Sequence, residues 1–171
     1  MSLFTSIEPA EIAENAVRLI GSDWALLTAG TQDRFNTMTI SWGFMGFLWN
    51  RPCAVCFVRP SRHTFSFIER ADDFTLSFFN EDMRGALHFC GANSGRDTDK
   101  IAATGLAPKI LENGTVAFEQ AKLILSCRKV YADYIKPDSF IEKSIVGSQY
   151  SDGSFHKMYI AEITGALEKQ A

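Results

Sequence analysis

Residues 53–64 read CAVCFVRPSRHT, and this stretch decides how the chain folds. Its first half, residues 53–58, is a compact apolar run with β-branched residues, and prolines stand only outside it, at Pro52 and Pro60. That pattern predicts a buried β-strand. Residues 64–70 are predicted to form a short helix, with the first threonine as its cap or first-turn residue. A buried strand therefore leads directly into a basic turn and a helix.

On either side of this stretch, strand and helix patterns follow at irregular intervals. Segments rich in β-branched and aromatic residues predict strands, and the first two form a hairpin around residues 32–34. Residues 134–150 are interpreted as a helix-containing insertion. Since helices do not alternate regularly with strands, we expect a mainly β fold, an antiparallel barrel, closed or partly closed, with peripheral helices. The predicted strands are 24–31, 35–42, 74–79, 121–131 and 156–167, and the predicted helices are 9–20, 83–90 and 98–103, the last capped by Asp97 and stopped at Gly105.

Length and composition indicate one folded domain, which we expect to span residues 1–171, since 46% of the residues are hydrophobic and 22% are charged. The net charge of −3 argues against a general nucleic-acid-binding protein, because such proteins carry a basic excess. The longest apolar stretch, residues 40–49, is too short to span a membrane. The first residues lack a secretory signal pattern and the four cysteines are expected to be reduced, so we predict a cytoplasmic protein.

The basic turn after the central strand carries two arginines and two hydroxyl side chains within six residues. Guanidinium groups match phosphate oxygens in pairs, hydroxyls add neutral donors, and the first N–H groups of a helix point to the same place. We interpret the turn as a phosphate clamp. The alternative is a solvated turn with two surface arginines. The clamp residues are Arg59, Pro60, Ser61, Arg62, His63 and Thr64.

The predicted strand 35–42 has one face made only of hydroxyl-bearing side chains. Such a face suits the polar rim of a planar ring system, which offers both donors and acceptors. The alternative is a half-exposed strand in which threonine serves β-propensity alone. Period two places Thr37, Thr39 and Ser41 on the hydroxyl face and Asn36, Met38, Ile40 and Trp42 on the other.

A third candidate segment, SGRDTDK at residues 94–100, presents a serine and two cations in a small, polar loop ahead of a helix. It matches neither the P-loop nor the GxGxxG pattern. The candidate ligand-binding residues of this loop are Ser94, Gly95, Arg96 and Lys100.

The remaining candidate is His156, at the start of the last long strand, which is either a proton donor near a ring or a core or surface histidine. A zinc site is not expected, because Cys53 and Cys56 point to opposite faces of a strand and lack a second ligand pair. No hydrolase motif occurs in the sequence. A cofactor is therefore expected to supply the reactivity.

Five segments in order resemble the flavin reductase-like family, with its flavoredoxin-type branch the nearest. They are MTISWGFMGFLWNRPCAVCFVRPSRHTFSFIE, DDFTLSFF, SGRDTDKIAATGL, CRKVYAD and HKMYIAEI. The resemblance implies an FMN-binding split β-barrel, antiparallel and Greek-key-like, and a homodimer with the flavin near the subunit interface. By similarity, residues 36–41 line the isoalloxazine, residues 59–64 hold the phosphate, residues 94–100 close over the ribityl-phosphate region, and His156 lies near the flavin.

The resemblance leaves the reaction open, since some members reduce flavin with NAD(P)H and others keep FMN bound as electron carriers. The sequence shows no separate nicotinamide motif. We expect an FMN-binding oxidoreductase that transfers electrons through the flavin and takes them from NAD(P)H. The alternatives are a non-enzymatic electron carrier that serves a redox protein partner, and a flavin-free binding domain on the same fold.

Overall fold

The computed structural model describes residues 3–170. Short helices lie between and beside the strands: α1 (Ala16–Arg18), α2 (Phe65–Arg70), α3 (Arg84–Ala92), α4 (Lys100–Thr104) and α5 (Ser144–Gln149). The strands are β1 (Phe4–Ile7), β2 (Ala25–Thr31), β3 (Arg34–Ile40), β4 (Gly43–Leu48), β5 (Arg51–Val58), β6 (Asp73–Phe78), β7 (Pro108–Ile110), β8 (Val116–Phe118), β9 (Leu123–Tyr134) and β10 (Lys157–Lys169).

The main sheet is antiparallel and runs in the order β3-β2-β6-β9-β10-β5-β4, with β1 added to β10. β7 and β8 form a separate pair. Strands β3 and β4 follow each other in sequence yet lie at opposite ends of this order, so the barrel is split between them. The prediction of a mainly β, antiparallel barrel with peripheral helices is confirmed.

Two apolar clusters hold the barrel and its helices together. The first fills the barrel interior around Leu27 and Tyr159, and α2 contributes the fully buried Ile68 to it. The second lies on another face of the sheet, where Leu87 of α3 and Phe118 of β8 are buried. Packing on both sides fixes β2 and β3, from which the candidate site is built.

Strand β4 was not predicted, because its residues, GFMGFL, do not alternate between apolar and polar and include two glycines. It pairs with β5 through a two-residue turn, in which Trp49 and Asn50 have φ angles of 53° and 57°. Positive φ at both positions is typical of a type I′ turn, which matches the twist of the flanking strands. The predicted strand 35–42 accordingly ends at Ile40, and the chain turns into a second hairpin.

The predicted helix 9–20 is wrong. Asn15 interrupts it, because the Asn15 side chain accepts a hydrogen bond from the Arg18 N–H at 3.1 Å and starts a new helix after it. That helix, α1, continues into a π-helical turn at Leu19–Asp23, which buries Leu19 and Ile20. The apolar residues at helical spacing thus lie on several short helical turns and not on one regular helix.

The start of α4 differs from the sequence-based expectation, and its end does not. Asp99, and not Asp97, caps α4, since the Asp99 carboxylate accepts from the N–H groups of Ile101 and Ala102 at 3.0 Å. The predicted stop at Gly105 is confirmed, with φ of 67° in the left-handed region. The insertion at residues 134–150 contains α5, as predicted. Within residues 3–170, no helix is long and apolar enough to cross a membrane.

Candidate functional site

Strand β3 forms one edge of the sheet and exposes one side of its backbone. Its pairing partner is β2, and the Thr37 carbonyl accepts a hydrogen bond from the Lys100 ammonium at 2.8 Å, so this carbonyl points away from β2. Backbone groups alternate in direction along an antiparallel strand, so the N–H and C=O of Thr39 also face this open edge. The edge offers donors and acceptors in a row.

The hydroxyl face predicted for this strand has a different role. Thr37 Oγ1 lies 2.9 Å from Thr28 Oγ1 on β2 and donates to the Leu27 carbonyl, while Thr39 Oγ1 donates to the Leu87 carbonyl of α3. These hydroxyls fasten β3 to its neighbours. This corrects the interpretation of the strand, since the polar groups that it turns to its open edge belong to the backbone.

A cavity of about 210 Å³ lies against the open edge, and we call it the strand-edge cavity. Of the predicted ring-binding residues, Asn36 and Thr37 lie outside this cavity and line a neighbouring one. The split of the barrel brings β5 and the start of β10 to the same place, so residues far apart in sequence share one wall. The strand-edge cavity is lined by Met38, Thr39, Ile40, Ser41, Trp42, Phe57, Arg59, Arg62 and His156.

The neighbouring cavity, of about 650 Å³, is rich in cations. Arg34, Arg96 and Lys100 line it, and no carboxylate pairs with them or with Arg62 among residues 3–170. Asp33 and Asp97 also line the cavity, and Asp99 is engaged in capping α4. The four cations concentrate positive potential where an anionic ligand would gain the most from it.

The pKa values of two groups in this region reflect both burial and nearby positive charge. Burial lowers the pKa of His63, and the positive charges of Arg96, Lys100 and Arg34 lower it further. Burial lowers the pKa of Lys100 to about 8, with a smaller contribution in the same direction from Arg62 and an opposing one from Cys90. Residues from two predicted segments, together with Arg34 of the β2–β3 turn, therefore form one electropositive cluster around His63.

Asn36 is the point at which the three predicted segments meet. Its side-chain amide donates to Thr64 Oγ1 at 2.7 Å, and both side chains are buried. A Cβ atom at Gly95 would lie 2.0 Å from Asn36 Oδ1, so only glycine lets the loop approach this closely. Thr64 stands at the N-cap of α2 without capping it through its side chain, because its hydroxyl is used by Asn36.

The two arginines of the predicted clamp differ in their partners. Arg59 donates to the Asp152 carboxylate at 3.0 Å and to the Gln149 carbonyl at 2.7 Å, and it lies over the Tyr150 ring. Arg62 forms no side-chain hydrogen bond within the part of the chain that the structure describes, and burial lowers its pKa. Arg62 is thus the arginine of the turn that remains available to a ligand.

The turn itself is closed by backbone hydrogen bonds. The Arg62 N–H donates to the Arg59 carbonyl at 3.0 Å, and the Phe65 N–H donates to the Arg62 carbonyl at 2.9 Å. Pro60 and Ser61 are exposed at its tip. The turn holds the Arg62 side chain at the strand-edge cavity while its outermost residues face solvent.

His156 is buried at the far wall of the strand-edge cavity. Its Nδ1 lies 3.1 Å from the Tyr150 hydroxyl, and its ring lies 5.1 Å from the Trp42 ring. Burial lowers the pKa of His156 to about 4, and the nearby Arg59 contributes in the same direction. The imidazole is therefore neutral at pH 7, and its burial agrees with the alternative of a core histidine, while a role as proton donor near a bound ring stays a prediction.

Several residues of the site were missed by sequence reasoning. Arg34 was assigned only to a turn, Tyr150 lies at the end of the predicted insertion 134–150, and Asp152 was given no role. Trp42 was placed on the strand face opposite the hydroxyls and given no role at the site. A local signal was available for Arg34 alone, since hairpin pairing brings it next to the predicted strand residues.

Comparison with solved structures gives the same fold in proteins of low sequence identity. An FMN-binding domain of a flavin reductases-like enzyme from Shewanella baltica has a TM-score of 0.69 at 20% identity, over 97% of this chain and 77% of that one. A flavoredoxin from Methanosarcina acetivorans has a TM-score of 0.66 at 21% identity, over 86% and 69%. An FMN-binding protein from Thermus thermophilus, solved with bound p-hydroxybenzaldehyde, has a TM-score of 0.68 at 17% identity, over 96% and 79%.

Sequence comparison assigns the family. No curated protein matches the chain. The family model described as "Flavin reductase like domain" matches residues 17–170, which is nearly the whole sequence. The split barrel and the family match agree, and the chain belongs to the flavin reductase-like family.

Proposed function

We propose that this chain binds FMN and works as an oxidoreductase that takes electrons from NAD(P)H. The observation that carries the proposal is the cluster of Arg34, Arg62, Arg96 and Lys100 beside the open edge of β3. A ring system with a phosphate tail needs hydrogen-bonding groups for the ring and cations for the phosphate, and here both lie beside β3. FMN-binding proteins among the structural neighbours support the proposal.

The residues present fit such a ligand. The backbone of β3 offers donors and acceptors to the edge of an isoalloxazine, and the three arginines, which have no carboxylate partner among the described residues, match a phosphate dianion. The buried Lys100 donates to the Thr37 and Cys90 carbonyls and adds positive charge to the site. The glycine at position 95 lets its loop lie directly against Asn36, which draws the loop over this end of the site. Arg59, being bonded to Asp152 and Gln149, supports the wall and is expected to contribute less to the phosphate than Arg62 does.

Bound FMN would supply the redox chemistry, since it accepts a hydride and passes electrons on singly or in pairs. The chain's own groups would bind, orient and shield it. Trp42 and the neutral His156 form one wall of the strand-edge cavity and exclude water from it, and the His156 Nδ1 keeps its hydrogen bond to Tyr150. The nearby cations favour any negative charge that develops on the ligand.

The visible spectrum of the purified protein, with its extracted ligand identified by mass, tests cofactor binding. A protein that is colourless and takes up no added FMN would show that the flavin-free alternative is correct. Anaerobic stopped-flow absorbance with NADH and with NADPH then tests the reductase. We expect the oxidised flavin band to bleach with at least one of them, whereas slow bleaching by both, together with fast exchange with an added redox protein, is the pattern of an electron carrier.

We also propose that the protein is a homodimer through the tip of the β4–β5 hairpin. A cluster of apolar side chains at this tip is solvent-exposed in the single chain, and Phe47 has 74% of its surface accessible. We call it the aromatic hairpin face, and it consists of Phe47, Leu48, Trp49 and Tyr131. Exposed apolar patches of this kind mark interaction sites. Light scattering after size exclusion should give a dimer for the wild type and a monomer for Phe47→Lys. The matched control Ile141→Lys, at another fully exposed apolar position, should stay dimeric, and a monomeric wild type would show that the proposal is wrong.

A further inference from the structure

A second cavity, of about 410 Å³, adjoins the strand-edge cavity and has no role in the proposed function. It lies between the α1 segment and the start of β4, and we call it the apolar cavity. Its volume is within the range of small-molecule sites, about 300–1,000 Å³. It shares Ser41, Trp42 and Phe57 with the strand-edge cavity, so the two cavities have a common wall.

The lining of the apolar cavity differs in chemistry from that of its neighbour. Val17, Ile20, Phe44 and Ile135 contribute hydrocarbon surface, and none of the lining side chains is charged at neutral pH. The strand-edge cavity, by contrast, contains two arginines. A charged ligand would lose its hydration in the apolar cavity without gaining a partner, whereas an uncharged ring compound would gain from leaving water.

One polar group connects the two cavities. The Tyr150 side chain lines the apolar cavity, and its hydroxyl lies 3.1 Å from Nδ1 of His156, which lines the strand-edge cavity. Trp42 lines both cavities, and its ring lies 5.1 Å from the His156 ring. A ligand oxygen bound by Tyr150 would therefore sit one hydrogen bond away from the group that faces the proposed flavin.

We propose that the apolar cavity is a subsite for a small, uncharged ring compound that carries one hydrogen-bonding oxygen, held beside the flavin site. This inference rests on the proposed function, because it assigns the ligand that would lie next to the flavin. It commits to an organic molecule and not to a second copy of the chain, because the cavity shares a wall with the flavin site and is lined by Tyr150, whose side chain carries a hydroxyl.

Gly21 allows the cavity to be filled without disturbing its neighbour. It lines the apolar cavity, and a Cβ at this position would meet no atom within 4 Å. Gly21→Leu therefore places a side chain in open space. Gly85→Leu is the matched control, since a Cβ there is equally free and the position lies on α3, away from both cavities. Val17→Trp, at an exposed lining position, is a second filling variant if Gly21→Leu fails to fold.

The test is calorimetric titration of FMN-loaded protein with 2-naphthol, and with 2-naphthoate as the charged analogue. We expect 2-naphthol to bind the wild type at least tenfold more tightly than 2-naphthoate. Gly21→Leu should weaken 2-naphthol binding at least tenfold and leave FMN affinity within twofold of the wild type, while Gly85→Leu should change neither. Circular dichroism shows whether each variant is folded.

Three results would overturn the inference. The first is unchanged 2-naphthol affinity in both filling variants, and the second is release of FMN by 2-naphthol, which would place the probe in the strand-edge cavity. The third is no binding of 2-naphthol to the wild type, including the case in which a second copy of the chain covers the cavity. Failure of the proposed function is distinguishable, because the wild type would then take up no FMN before any probe is added.

Discussion

Replacing Gly95 with alanine would insert one methyl group where the structure has no room for it. The added Cβ would lie 2.0 Å from Asn36 Oδ1 and 2.9 Å from Asn36 Cγ. Non-bonded carbon and oxygen atoms rest at about 3.5 Å, so the Asn36 side chain or the loop must move by roughly 1 Å or more. Movement of the Asn36 side chain breaks its 2.7 Å hydrogen bond to Thr64, and this is the movement that we expect, whereas movement of the loop would keep that bond and withdraw Gly95 from the site.

The magnitude follows from what that hydrogen bond satisfies. Thr64 has 1% of its surface accessible, so its hydroxyl would be left in a buried position without its partner. Leaving a buried polar group unsatisfied costs about 1–3 kcal/mol. For a domain of this size each 1 kcal/mol lowers the Tm by about 2–4 °C, so a central cost of about 2 kcal/mol corresponds to roughly 4–8 °C. Because Asn36 and Thr64 are both predicted flavin-binding residues, we also expect FMN affinity to fall about tenfold.

Thermal unfolding by circular dichroism and FMN titration by fluorescence quenching measure the two effects. Gly85→Ala is the control, because its Cβ would meet no atom within 4 Å. In an Asn36→Ala background the clash partner is absent, so a double-mutant cycle should show that most of the cost of Gly95→Ala disappears. The reasoning is refuted if Gly95→Ala leaves both Tm and FMN affinity unchanged, or if its cost is the same in the Asn36→Ala background.

Two further predictions follow from the site. Arg62→Ala should weaken FMN binding by about 1.5–3 kcal/mol, the range for hydrogen bonds to charged groups. Arg59→Ala should act mainly on the Tm, because Arg59 is bonded to Asp152. Equal FMN affinity in the wild type and Arg62→Ala would remove Arg62 from the site. His156 has a pKa of about 4 in the folded protein, against an ordinary value of 6.5. Between these pH values the unfolded chain binds more protons than the folded one. The free energy of unfolding therefore rises with pH from 4 to 6.5, and His156 contributes about 3 kcal/mol to this rise. Urea unfolding of the wild type and His156→Gln across this pH range should show the steeper rise in the wild type, and parallel curves would contradict the assigned pKa.

Much of the barrel could be predicted because its strands carry local signals. The β5 strand is apolar and flanked by prolines, and the β2–β3 hairpin has a polar turn between two runs of β-branched and aromatic residues. β4 could not be found in this way. β4 lies at the edge of the sheet, and its residues do not alternate between apolar and polar. Its turn at Trp49 and Asn50 also lacks the glycine that usually marks a type I′ turn.

The three segments of the candidate site could be predicted from the sequence, but the hydrogen-bond partners of their side chains could not. Arg59 and Arg62 are equivalent in the sequence, but Arg59 is bonded to Asp152, which is 93 positions away along the chain. The threonine hydroxyls of β3 have the alternation expected of a ligand face, but α3 and β2 take them as hydrogen-bond partners. In each case a distant element competes for a group that looks free in the sequence.

The strand-rich architecture, the basic turn after β5 and the resemblance to the flavin reductase-like family could be read from the sequence, because hydrophobic period, proline positions and short motifs are local properties of a chain. Three features depend on the folded chain: that Arg59 and not Arg62 of the turn is paired, that Asn36, Thr64 and Gly95 meet at one point, and that His156 is neutral at pH 7. Burial, charge pairing and pKa depend on which distant residues the barrel brings together.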